Sequence, residues 1–332
     1  MEFAKFIVSR FITFFLVVYI GVTAVFFLPR LMPSDPVENV LHHIHSQAGF
    51  MDPELVDEMR RVLNENFGLE GTLLEQYGAF LRRAIFTQDF GPSFSSFPTP
   101  VVELIGRALP WTLGLLLTTT LISFFIGNLI GLFAGYRSGT FGSKLLEWIA
   151  MVIYPIPFFV VALLMSMFFS YMIPIFPLVT SIFAEPWTIQ WVREVIWSSM
   201  LPAISLTLLG LGWWVLSMRT LTQDIAEEDY VTFARQKGLS DARIMTRYIY
   251  RNAIPSQTTI LALRIGAIFS GSMLTEIIFS YPGIGTLTFR AIQAGDYNLI
   301  LGTITMSIIS VSLAAFLIDI FYPLLDPRVR CK

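Results

Sequence analysis

The chain has 332 residues, of which 55% are hydrophobic and 14% charged. A soluble domain carries about a quarter charged residues, so this composition excludes an ordinary globule and points to the lipid bilayer. The 22 Lys and Arg against 24 Asp and Glu leave a net charge of −2, too near neutral for a nucleic-acid binder, and the single cysteine, Cys331, excludes an internal disulfide and a cysteine metal cluster.

Lys5 and Arg10 precede an apolar run from Phe11 to Leu28, long enough to cross a hydrocarbon core of about 30 Å. Arg30-Leu31-Met32-Pro33 offers no small-residue cleavage site, so an uncleaved first membrane helix is expected in residues 1–29. Residues 30–103 are too polar to be membrane: the stretch from Pro29 to Glu103 holds eleven Asp or Glu against five Arg, with a helical pattern over Pro53–Phe67. His42, His43 and His45 supply two imidazoles to a shared helix face, which is half a metal site, so solvated loop histidines are the better reading. No metal is expected.

The second span is predicted over Leu109–Ala134. There Gly127, Gly131 and Gly135 recur every four residues, a pattern that lets two helices pack backbone to backbone. The third covers Leu145–Tyr171 with Pro155 and Pro157 midway, and these prolines either line a pathway or make a structural kink. A Trp- and Pro-rich loop over Met172–Ser199 leads to the fourth span, Met200–Met218. The fifth is expected over Ser256–Phe279 and the sixth over Leu299–Tyr322.

Between the fourth and fifth spans lies a polar island, Thr222–Pro255, within a loop of residues 219–255. Acidic residues come early, Arg235 and Lys237 late, and Gly238 then supplies a helix stop. Ser240 stands where it can cap a second helix, which must end or bend near Pro255. Two short helices meeting at a glycine have the shape of a docking element for a partner protein.

Here the sequence resembles a known family. Glu228-Asp229-Tyr230-Val231, Ala234-Arg235-x-Lys237-Gly238 and Arg251-Asn252-Ala253-x-Pro255 are similar to the coupling loop of ABC importer permeases, in particular the oligopeptide/dipeptide permeases. The broader importer motif opens Glu-Ala-Ala, where this chain has Thr232-Phe233-Ala234. Pro33-Ser34-Asp35-Pro36, Phe67-Gly68-Leu69, Gln76-Tyr77 and Asp89-Phe90-Gly91-Pro92-Ser93 resemble the same family's outer domain. So do Ser280-Tyr281-Pro282-Gly283-Ile284-Gly285, Asp296-Tyr297 (followed by Asn298 where proline is usual) and the tail Asp326-Pro327-Arg328-Val329-Arg330 after Asp319 and Tyr322.

The resemblance implies an all-α type I ABC importer permease fold: six transmembrane helices, a small extracytoplasmic domain between the first two, and a core over residues 104–332. It implies a second similar permease, two ABC ATPase subunits and an outside solute-binding protein as partners. ATP and magnesium would sit on the ATPase chains. The coupling residues it implies are Glu228, Asp229, Tyr230, Ala234, Arg235, Lys237, Gly238, Arg251, Asn252 and Pro255.

Six spans put both termini on one side. Thirteen of the 22 basic residues fall there, which makes that side cytoplasmic, and the resemblance implies that the membrane is the inner (plasma) membrane.

Three ionisable residues remain inside spans, and each needs a reason, because a buried charge costs at least about 2.5–3.5 kcal/mol on insertion scales. Arg264 is expected to face the pathway and pair with Asp319 or meet a negative group on the solute; the alternative is snorkelling to the headgroups. Glu276, at the outer end of the fifth span, either closes an outer gate, contacts the binding protein, or is structural. Asp319 could also cap neighbouring helices. No G-x-x-x-x-G-K-[ST] or other catalytic motif is present, so the chain is not expected to be an enzyme or to bind a cofactor itself. The expected function is a permease subunit for short peptides, with oligosaccharides or nickel complexes as alternative cargo. An ion-coupled carrier is the rival of another class, and it would need inverted repeats that the six spans do not display.

Overall fold

The computed structural model describes residues 2–30, 37, 38, 41, 52–69, 71–268 and 272–325. The three histidines, Pro33–Pro36 and the tail from Asp326 lie outside the described residues. Among the described residues the chain is mostly helical, with one isolated bridge, Pro92 to Pro100, and no strand.

Helix α1, Glu2–Arg30, is followed by α2, Pro53–Phe67, and α3, Leu73–Arg82, which runs on into a wide turn. Asp52 caps α2, and Thr72 with Glu75 forms a reciprocal capping box on α3, so both ends satisfy their free amides locally. Tyr77 ties α3 to α1: its hydroxyl lies 2.6 Å from Thr23 Oγ1 and its ring packs on Phe26 and Phe27.

The core comprises α4 (Val101–Tyr136), α5 (Phe141–Ile153), α6 (Phe158–Ser166) and α7 (Ile189–Ala226), then α8 (Asp229–Gln236) and α9 (Asp241–Arg243). A π-helical stretch, Ile244–Tyr250, joins α9 to α10 (Arg251–Ala267), and α11 (Met273–Ile278), α12 (Ile284–Ala294) and α13 (Tyr297–Leu325) complete it. Among the described residues four helices are long and apolar enough to cross a membrane, at Phe6–Phe27, Val101–Tyr136, Ile189–Ala226 and Tyr297–Ile320. The pair Phe141–Ile153 and Phe158–Met172 makes a fifth if taken as one broken span.

The glycine ladder is where α4 and α7 meet. A Cβ on Gly127 would lie 2.5 Å from Trp214 Cβ, one on Gly131 2.6 Å from the Val215 carbonyl, and one on Gly135 2.6 Å from the Arg219 carbonyl. Contacts that climb together in sequence mean the two helices run parallel. α13 instead runs antiparallel to α1, with Arg10 on Asp319 at 3.3 Å, Phe14 by Phe316, and Gly21 against Ile308. Overpacking a close helix contact costs about 1–3 kcal/mol, and backbone is what blocks the new side chain here. Gly131→Val should therefore cut the monodisperse yield in detergent size-exclusion. Gly114→Val on the same helix, where an added Cβ meets nothing within 4 Å, should not.

Several expectations change. The third span is not one helix: it breaks at Tyr154–Pro157 and bends by 95°, because Pro155 and Pro157 remove two backbone donors within three residues. The loop expected to reach Ser199 ends earlier, since Thr188 caps α7 through the Trp191 amide and starts a 38-residue helix. The fifth span is divided, with α10 ending at Ala267 and α11 starting at Met273. Pro255 does not end its helix: it sits inside α10, and the widened π turns just before it take up the disturbance.

Candidate coupling segment and translocation face

The polar island folds as a short helix with one face buried and the other open. On α8, Val231 and Ala234 are buried against Leu132, Met218, Ile244, Ile249 and Ala253, so the helix rests on α4, α7 and the start of α10 together. The outer face presents Asp229, Tyr230, Phe233, Arg235 and Lys237, with Tyr230 41% and Phe233 58% exposed. Such aromatics stay in water only at a cost, which a partner surface removes.

The end of α8 is fixed by backbone geometry. Gly238 adopts φ +72°, its N–H donates to Arg235 O at 2.9 Å, and the Leu239 N–H reaches Ala234 O at 3.4 Å. This is the paired 6→1 and 5→2 arrangement that closes a helix on a left-handed residue. Ser240 stands at the start of α9, but its side chain makes no capping bond. The Tyr136 hydroxyl instead donates to Asp241 at 2.6 Å, while Arg235 lies over the Tyr136 ring and Lys237 over Phe233. Glu228 occupies the N-cap position of α8, also without a side-chain bond; Asn252 Nδ2 donates to Tyr248 O, and Arg251 is exposed.

Above this segment α5, α7 and α10 enclose an open cavity of about 530 Å³, lined among others by Tyr154, Trp213, Ser217, Asp224 and Gln257. Tyr154 abuts the Pro155–Pro157 break, and both prolines are exposed beside it. Arg264 does not pair with Asp319. Asp319 is held by Arg10, and the Arg264 guanidinium lies 4.4 Å from the Trp213 ring centre and 5.5 Å from that of Trp214. Adjacent aromatic faces solvate the cation where a distant carboxylate cannot.

Glu276 does not line this cavity. Its carboxylate accepts from Thr112 Oγ1 at 2.8 Å and from the Gly285 and Thr286 amides at 2.7 and 3.1 Å, at the first turn of α12. A Cβ on Gly283 would strike that carboxylate, which accounts for the first of the two motif glycines. One on Gly285 would come within 2.5 Å of Met273 Cα. Asp296 works similarly at the next turn, accepting from Ser93 Oγ, Ser95 N and Ser95 Oγ, while Asn298 donates to Pro92 O. Two sequence motifs some 200 residues apart thus meet. Asp296→Ala should loosen the 91–95 loop from α13, and faster limited proteolysis of that loop in the purified protein would register it.

Residues 127–331 match the family described as binding-protein-dependent transport system inner membrane component. The match spans the glycine ladder, the coupling segment and α13. The chain belongs to this family. Over 326 residues it is 25% identical to the dipeptide transport system permease protein DppB of Lactococcus lactis subsp. cremoris, covering 98% of this chain and 99% of that one. The DppB of Bacillus subtilis is 26% identical over 327 residues, 98% of each chain. The di/tripeptide transport system permease protein DppB of Pseudomonas aeruginosa is 30% identical over 329 residues, 94% of this chain and 95% of that one.

As an inner membrane component of a binding-protein-dependent system, the chain is a permease subunit embedded in the membrane. The sequence singles out the coupling motifs and the Pro155–Pro157 break, but not Trp213, Ser217, Asp224 or Gln257 as cavity residues, nor Trp214 as a ring beside Arg264. The signal was present: two adjacent tryptophans in one span and a lone arginine in the next.

Proposed function

We propose that this chain forms part of the translocation pathway of an ABC importer for short peptides. It acts with a second similar permease, two partner ATPase subunits and an extracytoplasmic solute-binding protein. The single observation that carries the coupling half of this reading is α8: an exposed Tyr230–Phe233 face on a helix whose buried face rests on α4, α7 and α10. A partner that grips the outer face and moves it displaces the base of three helices at once. ATP and magnesium belong to the ATPase chains; this chain contributes movement, not hydrolysis.

The peptide half is supported by the names of the full-length relatives, which are dipeptide and di/tripeptide permeases. Helix directions support six traversals, with α1, the α5–α6 pair and α10 running opposite to α4, α7 and α13. The basic-residue count supports taking the end that carries Arg10, Arg137, Arg219 and α8 as cytoplasmic, with both termini on that side and residues 30–103 outside.

The test begins with the solute-binding protein that co-purifies with the chain. Its thermal shift is recorded against di- to hexapeptides, oligosaccharides and nickel chelates. Stabilisation by peptides, followed by ATP-dependent peptide uptake in proteoliposomes, is expected. Stabilisation by sugars or nickel chelates alone would replace the cargo, and uptake driven by an ion gradient without ATPase subunits would replace the class.

A further inference from the structure

Arg264 is one charge that the fold leaves without an ion pair among the described residues. It stands on α10 one turn beyond Ile260 and two beyond Gln257, both of which line the 530 Å³ cavity. Positions i, i+3 and i+7 share one helix face, and the four residues from Ile260 to Arg264 rise about 6 Å. The cavity's volume is within the roughly 300–1,000 Å³ typical of small-molecule sites. Trp213, which also lines it, lies directly under the guanidinium.

A guanidinium stacked on a ring uses its flat face and leaves its N–H groups around the rim. Those N–H groups are arranged as a fork that matches a carboxylate. Among the described residues no carboxylate lies within ion-pair distance of Arg264, and Asp319, the candidate named from sequence, is taken by Arg10. One residue that lines the cavity also has an unfinished polar group. Gln257 is 1% exposed and donates to Ser217 Oγ at 3.0 Å, yet its Oε1 has no partner. A buried acceptor without a donor costs free energy unless something supplies one.

We infer that Arg264, held on Trp213 and Trp214, is an anion station in the pathway that receives the C-terminal carboxylate of a passing peptide. The inference rests on the peptide reading above and adds the residue and the chemistry. Gln257 stands two turns back on the same helix face, and a rotation of its side chain would bring the buried, unpartnered Oε1 to an amide N–H of the same solute. Asp224, farther along the cavity toward α8, gives the opposite charge that a peptide's ammonium end prefers. The ring stacking has a further use: it keeps the cation from collapsing to the headgroups, so the station persists while the cavity is empty.

The test uses the complete transporter with its binding protein in proteoliposomes, with Arg264→Gln, Arg264→Lys and wild type compared. Co-purification of all subunits on size-exclusion reports assembly for each. Uptake of dialanine delivered by saturating binding protein is expected to fall at least about tenfold in Arg264→Gln, the scale of one charge-assisted hydrogen-bonded pair. Arg264→Lys should recover part of it, since charge remains and the fork is lost. Uptake of dialanine amide should be the same in Gln variant and wild type.

Unchanged dialanine uptake in Arg264→Gln would overturn the station, as would an equal loss for acid and amide. Loss of the second permease on size-exclusion would overturn it differently, by assigning Arg264 to an ion pair between subunits. Absence of any peptide uptake by the wild type, with a binding protein that peptides do not stabilise, would instead sink the peptide reading and this inference with it.

Discussion

Replacing Gly238 with valine is expected to uncouple ATP hydrolysis from uptake, lowering peptide imported per ATP by about tenfold. The effect comes from the backbone, not from crowding: a Cβ added at Gly238 meets nothing within 4 Å, but its φ is +72°. For an L-residue that left-handed conformation costs roughly 1–2 kcal/mol, and more for a β-branched side chain. The turn at Gly238 sets the angle between α8, which carries Tyr230 and Phe233, and the π-helical stretch leading into α10. A turn that relaxes toward φ below zero loses the Gly238 and Leu239 amide bonds and lets α8 swing independently of α10. Asparagine, which tolerates the left-handed region, should stay near wild type at the same position. Uptake and phosphate release measured together in proteoliposomes decide the matter: equal coupling in the valine, asparagine and glycine forms would remove the turn from the mechanism.

The coupling segment was legible because its physics is local. A glycine stop with acids early and bases late is written within one stretch of chain, and α8 ends where Gly238 places it; its start at Asp229 was not written there, because Thr222–Ala226 continue α7. The glycine ladder was legible for a similar reason, since spacing of four fixes a helix face whatever the partner. What the sequence could not supply was the partner's identity, and α7 provides it through Trp214, Val215 and Arg219. The long-range polar pairs were the least legible. Asp319 and Arg264 sit toward the same end of neighbouring spans and suggest a pair, yet Arg10 on the antiparallel α1 lies closer to Asp319. Charge type and depth along a helix do not report which face a side chain takes. Span boundaries failed where helices outlast the bilayer: α7 runs 38 residues, about 57 Å at 1.5 Å per residue, so its first eleven residues read as loop.

Glu276 shows how a charge inside an apolar stretch is retained for structure. Its carboxylate gathers Thr112 on α4 and the Gly285 and Thr286 amides of α12, and Thr112 Oγ1 in turn accepts the Ile284 amide at 2.8 Å. The first turn of α12 therefore has three of its free amides satisfied by one acid and one hydroxyl, at the positive end of the helix dipole. Glu276→Ala would leave Thr112 and two amides without their acceptor, at about 1–3 kcal/mol for each buried donor. The expected result is at least a tenfold loss of folded, membrane-inserted protein, read as monodisperse yield. Glu276→Gln keeps one acceptor oxygen for the amides, and the Thr112 hydroxyl has a spare lone pair for the new N–H, so most of the yield should return. The pair of variants separates a structural acid from a gating one. If Glu276→Gln folds and imports peptide at close to the wild-type rate, the negative charge itself has no part in opening or closing the outer end. If it folds and import fails, the charge acts beyond holding α12, and the outer end of the pathway becomes the place where it does so.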